Sequence, residues 1–304
     1  MSNQHKRGSP DPRAVQVVKG YKFPASFQNV AQNMEYEAQA EDVFVLAFPK
    51  SGTTWMQHVV TLILNGGHMP DVYQQRGVNG MSPYLDRFGG TAIREAERPF
   101  AIKSHLPFPL IPKHAAARYV LMIRNPKDTC VSFYHHTNMF ANFDMDFHSF
   151  FPLWMDGQFP CGDYFDYVLS YWNERHSQPN LLVLFYEHMK RSPAHHVLKV
   201  AKFLGQSHAD RLTADNNRLL DMITEKTSFD QMRESVNRMF ARDTPVPMKG
   251  GRTDFLRRGV VADWRNLMTT EESLLLDQVM QQRLAGTGLL EQWDSTDIAT
   301  LANN

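Results

Sequence analysis

The 304-residue sequence predicts an α/β fold, with a central parallel sheet flanked by helices on both faces. Three observations predict it. Short, wholly apolar runs of strand length recur along the chain, as the strands of a sheet buried on both faces require. Each run is followed by a turn and then by apolar residues at helical spacing, the alternation that builds parallel sheets. The most polar and glycine-bearing turns follow the ends of these runs, where ligands collect on such sheets.

The elements follow in chain order. Residues 43–48, Val-Phe-Val-Leu-Ala-Phe, read as a buried strand. A turn over 49–54 leads into a helix marked by Met56, Val59, Val60, Ile63 and Leu64, which Asn65-Gly66-Gly67 ends. Residues 100–103 and 119–123 are further strands, and after the latter Asn125 is a good N-cap and Pro126 a good first helical residue. Residues 181–185 form a fourth strand, with a helix over 194–204 behind it. Residues 240–263, rich in Gly, Pro and Arg, suggest a loop or lid, and 270–285 read as helical. The polar residues 1–13 are expected to be a disordered tail, leaving 14–304 as a single domain.

Composition narrows the function. Hydrophobic residues make up 42% and formal net charge is +0, so no bulk positive charge draws nucleic acid or anionic lipid. An anionic ligand must then be held by a local cluster of cations. No stretch reaches the length of a membrane span, and the N-terminal residues lack the apolar run of a secretory signal. Cys130 and Cys161 are too few for a disulfide framework and suit a reducing compartment, so the expected location is the cytoplasm.

The chemistry starts at Phe48-Pro49-Lys50-Ser51-Gly52-Thr53-Thr54-Trp55. A buried strand here meets a helix N-terminus, where free N–H groups and the helix dipole favour phosphate. Gly52 lets the backbone approach closely, Lys50 brings a charge, and Ser51, Thr53 and Thr54 bring hydroxyls. The junction is P-loop-like, within a three-layer fold, yet lacks the order G-x-x-x-x-G-K-[ST]. The strand at 119–123 ends in Arg124 rather than in the aspartate that would hold magnesium. Together these imply a nucleotide phosphate site that requires no metal. Arg124 with Ser132, and Phe255-Leu256-Arg257-Arg258-Gly259, are two further anion-binding elements. The tandem pairs His135-His136 and His195-His196 lack ligand company at metal spacing, so zinc is not expected.

At this point the sequence resembles the cytosolic sulfotransferase family. Pro49-Lys50-Ser51-Gly52-Thr53-Thr54-Trp55 matches its loop for the 5′-phosphosulfate of 3′-phosphoadenosine 5′-phosphosulfate (PAPS), and Arg124 with Ser132 matches its 3′-phosphate pair. Residues 255–266 are similar to its Arg-Lys-Gly-x-x-Gly-Asp-Trp-Lys-Asn segment. The resemblance implies that His105, in Lys103-Ser104-His105-Leu106-Pro107, is the catalytic base, and that Tyr186 contacts adenine. It also implies that Thr227, Ser228, Phe229 and Met232 close over the base, with adenosine 3′,5′-bisphosphate (PAP) as product.

The residues agree with that chemistry. A hydroxyl needs a base to accept its proton, and histidine serves near neutral pH. Charge builds on the leaving phosphate oxygen, where Lys50 is placed to help and Lys103 is a second candidate. Trp55 and Phe229 could sandwich adenine, and Tyr21, Phe23, Phe27, Tyr84 and Phe140 are candidates to line the acceptor site.

Two departures stand out. Ala262 replaces a family glycine, which is tolerable only if the position needs no positive φ. The family's dimer motif is degraded over residues 265–274, so its homodimer contact is not carried over. A phenol, steroid, other alcohol or arylamine all fit as acceptor. Competing readings are a non-catalytic ligand-binding protein on the same scaffold, and a nucleotide kinase, against which the loop order and missing aspartate argue.

Overall fold

A strand whose side chains are apolar on both sides must be covered on both faces, and the sheet is built that way. The computed structural model describes residues 11, 13–140, 143–243, 248–249 and 254–293. Its strands are β1 (Val15–Val18), β2 (Tyr21–Pro24), β3 (Val43–Ala47), β4 (Ile102–Ser104), β5 (Arg118–Ile123) and β6 (Leu181–Phe185). Among the described residues, β1 and β2 pair as an antiparallel hairpin, and the other four form one parallel sheet in the order β4-β3-β5-β6.

The helices that frame the sheet are α1 (Val30–Asn33), α2 (Thr53–Leu64), α3 (Asp71–Met81), α4 (Leu85–Glu95), α5 (Pro126–Thr137), α6 (Phe147–Met155), α7 (Tyr164–Trp172), α8 (Tyr186–Arg191), α9 (Pro193–Leu204), α10 (Gln206–Lys226), α11 (Phe229–Asp243) and α12 (Thr270–Leu284). Side-chain alternation sorts them into layers. Phe44, Leu46, Tyr119, Leu121 and Ile123 point into one core, filled from the other side by α5, α6, α7 and α12. Val43, Val45, Ala47, Val120 and Met122 point into a second core, filled by α2, α9 and α10. The result is the expected three-layer α/β arrangement with helices on both faces.

Several local expectations shift. The strand expected over 100–103 is Ile102–Ser104, and the helix expected over 194–204 starts at Pro193. Part of the expected loop, residues 240–243, is the last turn of α11. Residues 1–10 and 12 of the expected tail lie outside the described residues. Ala262 takes φ 60°, so the condition set for its tolerance is not met: alanine occupies a left-handed position. Such a conformation crowds Cβ against the backbone and costs about 1–2 kcal/mol. It is held because Asp128 accepts from the backbone N–H groups of Ala262 (2.8 Å) and Trp264 (3.0 Å).

Candidate active site

The loop between β3 and α2 turns sharply because two residues leave ordinary φ. Lys50 sits at φ 72° and Gly52 at φ 103°. Gly52 cannot be replaced freely, since a Cβ there would lie 3.0 Å from Tyr186 Cδ2. Lys50 tolerates the left-handed region at a cost of order 1–2 kcal/mol, a strain typical of ligand-binding turns. Its ammonium rests 3.9 Å from the Phe255 ring centre. Burial, assisted by the charges of Arg124, Lys103 and Arg257, pulls Lys50 down to about 7.

Arg124 follows the end of β5 and is fixed from several sides. Its guanidinium donates to the carbonyls of Lys50 (3.2 Å) and Val260 (3.3 Å) and lies 4.4 Å from the Tyr186 ring centre. Beneath it, the Tyr164 hydroxyl donates to the Arg124 carbonyl at 2.5 Å. Buried Glu187 accepts from Asn125 N–H (2.9 Å) and Trp293 Nε1 (3.1 Å). Asn125 caps α5 by accepting from Lys127 N–H, with Pro126 as first helical residue, as expected.

The third element is the segment around Arg257 and Arg258. Both arginines pair with Asp263, Arg258 at 2.9 Å. Gly259 has φ 64° and lies so close to Phe229 that a Cβ would overlap the ring. Phe229 is thereby pressed to a defined place at the start of α11.

His105 lies just past β4. Its Nδ1 is 2.6 Å from the Ala47 carbonyl, which can only accept, so Nδ1 carries the proton and Nε2 keeps its lone pair. The His105 N–H donates to Asp86 Oδ2 (2.7 Å), and the Ser104 hydroxyl to Asp86 Oδ1 (2.6 Å). Burial first, then the positive charges of Lys103 and Lys50, hold the imidazole well below its ordinary range. The imidazole is therefore neutral at physiological pH. Lys103 lies 3.9 Å from the Tyr84 ring centre, and burial lowers it to about 8.

One cavity collects these groups. Lys50, Gly52, Thr53, Thr54 and Trp55 line it from the β3–α2 loop. Arg124, Ser132, Tyr186, Lys103 and His105 line it from the neighbouring strand ends. Thr227, Phe229 and Met232 line it from the α10–α11 junction, and 255–259 close the remaining side.

Other expected residues are not part of that lining. Ser51 is fully buried, and the Ser228 hydroxyl accepts from Gln231 N–H at the start of α11. Tyr21 donates to the His105 carbonyl (2.8 Å), Phe23 packs in the core against Tyr21, and Phe27 packs edge-on against Tyr84. Tyr84 stacks edge-on against His105, and Phe140 touches His136.

Residues that the sequence reading passed over also reach the cavity: His135, His136, Lys190 and Asp263. The two histidines had a legible signal. They follow Ser132 at i+3 and i+4 on α5 and so share its face.

The lining suits a polyanion that carries an aromatic ring. Cations converge from five chain segments, at Lys50, Lys103, Arg124, Lys190 and Arg257–Arg258, and aromatic rings flank them. Of the lining residues, Thr53 Oγ1, Trp55 Nε1 and Arg124 Nε are buried with no hydrogen-bond partner among the described residues. Orphaned polar atoms in a cavity commonly await a ligand.

Comparison with known proteins follows the same lines. The family model described as "Sulfotransferase domain" matches residues 40–288. Sulfotransferase 1E1 of Bos taurus is 32% identical over 279 residues, covering 88% of this chain and 90% of its own. Cytosolic sulfotransferase 1 of Danio rerio is 29% identical over 269 residues, covering 84% of this chain and 87% of its own. A retinol dehydratase solved in complex with androsterone and the inactive cofactor PAP superimposes with a TM-score of 0.72 at 23% identity, over 92% of each chain. That last likeness bears on the fold.

Proposed function

The chain belongs to the sulfotransferase family, and from that premise we propose that it transfers a sulfuryl group from PAPS to a hydroxyl or amine of a small, largely apolar acceptor, with His105 as the base. The observation that supports this reading best is the state of His105: Nδ1 is tied to the Ala47 carbonyl, so Nε2 is a free base in a cavity lined by Lys50, Lys103 and Arg124. We carry over the nucleotide held by the solved retinol dehydratase. The single unit of residues 14–304 and its cytosolic location belong to the same reading.

The roles follow from charge and geometry. The loop residues 50–55 hold the 5′-phosphosulfate end, with N–H groups at the start of α2 pointing at the anion. Arg124, Ser132, Arg257, Arg258 and the backbone of Gly259 take the 3′-phosphate, which must draw the arginines from Asp263. Trp55, Tyr186 and Phe229, with Thr227, Met232 and Leu256, enclose adenine. Phe255 packs its ring against the Lys50 ammonium.

In the transfer step the acceptor oxygen attacks sulfur in line. Its proton moves to His105 Nε2, the new O–S bond forms, and the bond from sulfur to the bridging phosphate oxygen breaks. Negative charge then grows on the phosphate oxygen, where the ammonium groups of Lys50 and Lys103 neutralise it.

Calorimetry with PAP, with and without magnesium, tests the donor assignment on wild type and Arg124→Ala. Micromolar or tighter binding that ignores magnesium and weakens at least about tenfold in the variant is expected, since hydrogen bonds to charged groups are strong. No binding, or binding that needs magnesium, would overturn it.

A further inference from the structure

One polar side chain in the cavity has no part in the transfer described above. His136 lines the same cavity as His105 and Lys103. Its Nδ1 is sealed from solvent and has no hydrogen-bond partner among the described residues. The other deeply placed histidines are satisfied: His58 meets the Thr54 carbonyl and the Tyr73 hydroxyl, and His105 meets the Ala47 carbonyl.

The surroundings of His136 are aromatic. Its ring meets Phe140 at 5.6 Å, Phe255 at 5.7 Å and Phe240 at 6.0 Å between centres. A phenylalanine would complete that cluster and avoid the roughly 1–3 kcal/mol that an unpaired buried polar atom costs. An imidazole here is therefore an expense to the free protein unless a bound molecule supplies a partner.

Position and charge indicate which molecule. Phe255 contacts both His136 and the Lys50 ammonium, which sets His136 at the transfer end of the cavity. Burial, then the charges of Lys50 and Lys103, keep the ring well below its ordinary proton affinity, so it is neutral. A neutral imidazole beside several cations adds little to the grip on an anion that those cations already hold. It has one donor and one acceptor nitrogen, the complement of a neutral hydroxyl.

We propose that His136 determines acceptor specificity by hydrogen-bonding a second hydroxyl of the acceptor, so that the enzyme selects compact dihydroxy aromatics over monophenols. This rests on the sulfotransfer reading above. The ring of Phe255, which lines the cavity and touches His136, favours a flat aromatic body. His105 takes the proton of one hydroxyl while His136 orients the molecule through the other. A site built to bond a hydroxyl discriminates strongly against the analogue that lacks it.

The test compares kcat/KM for phenol, catechol, resorcinol and hydroquinone, whose hydroxyl spacings differ, in wild type, His136→Phe, His136→Leu and His136→Gln. PAP binding in each protein checks that the nucleotide site is intact. Wild type is expected to favour at least one dihydroxybenzene over phenol by about tenfold or more. His136→Phe or His136→Leu, whichever retains PAP binding, should cut that ratio by about tenfold, and His136→Gln should keep most of it. A preference for phenol, a ratio unchanged by the apolar variants, or transfer to none of the four overturns the inference. In the last case retained PAP binding leaves the sulfotransfer reading standing, and lost binding removes that reading as well.

Discussion

Binding of PAP at pH 8 should draw protons from solution, and Lys50 is the main reason. Burial together with Arg124, Lys103 and Arg257 places the free ammonium at about 7. At pH 8 such a group is about one-tenth protonated. A phosphate dianion against it restores the charge, so binding takes up about 0.9 proton at Lys50. Lys103, lowered to about 8, adds up to about half a proton if it too meets the ligand. The ligand's phosphates, with a second ionisation near pH 6, are already ionised and release almost nothing. Affinity should accordingly fall above pH 7, with a slope of about one to one and a half log units per pH unit near pH 8. Calorimetry at pH 8 in two buffers of different ionisation enthalpy reads the proton count. Lys50→Arg, which stays charged, should reduce it to the share of Lys103. An uptake near zero, or one unchanged in Lys50→Arg, would refute the reasoning. In the ligand-free protein the sign is opposite in consequence: the unfolded chain binds the proton more tightly, so the contribution of Lys50 to stability rises with pH from 7 toward 10.5.

Two further predictions concern the segment that closes the site. Ala262→Gly should raise stability by about 1 kcal/mol, because φ 60° costs alanine more than glycine loses in chain entropy. Urea unfolding measures it, and a loss of stability would mean that the left-handed turn is not strained. Gly259→Ala should weaken PAP binding by about tenfold or more, since the added methyl displaces the Phe229 ring from its place over the cavity. Unchanged affinity would remove Phe229 from the adenine contact.

Much of this arrangement was legible in the sequence because its causes are local. The strand at 43–47 is apolar at every position, and the loop after it holds its lysine, glycine and hydroxyls within six residues. The Asn125-Pro126 start of α5 is a capping signal written in two adjacent residues. What stayed hidden depends on partners far away in the chain. Trp293 closes on Glu187, and Asp128 holds the turn at 262–264, across more than 100 residues in each case. The left-handed φ of Ala262 follows from that distant carboxylate rather than from alanine's own preference. His136 was set aside as half of a tandem pair without ligand company at metal spacing, a reading that asked only about a metal. It missed that only one of the two needs to face a cavity, beside the Ser132 already on that face. Tyr21 and Tyr84 were read from the sequence as acceptor-lining candidates; the contacts that only the fold reveals are those of Tyr21 with the His105 carbonyl and of Tyr84 with His105 and Lys103.

The central claim is that His105 accepts the proton of the attacking group. The direct measurement is sulfuryl transfer from radiolabelled PAPS to a panel of phenols, steroids, other alcohols and arylamines, by wild type and by His105→Ala, with PAP affinity measured alongside. Wild type should label at least one acceptor. His105→Ala should lose at least about a hundredfold in kcat, the usual share of a positioned base, while binding PAP within about threefold of wild type. A variant that binds PAP and still turns over at a near-normal rate would contradict the assignment.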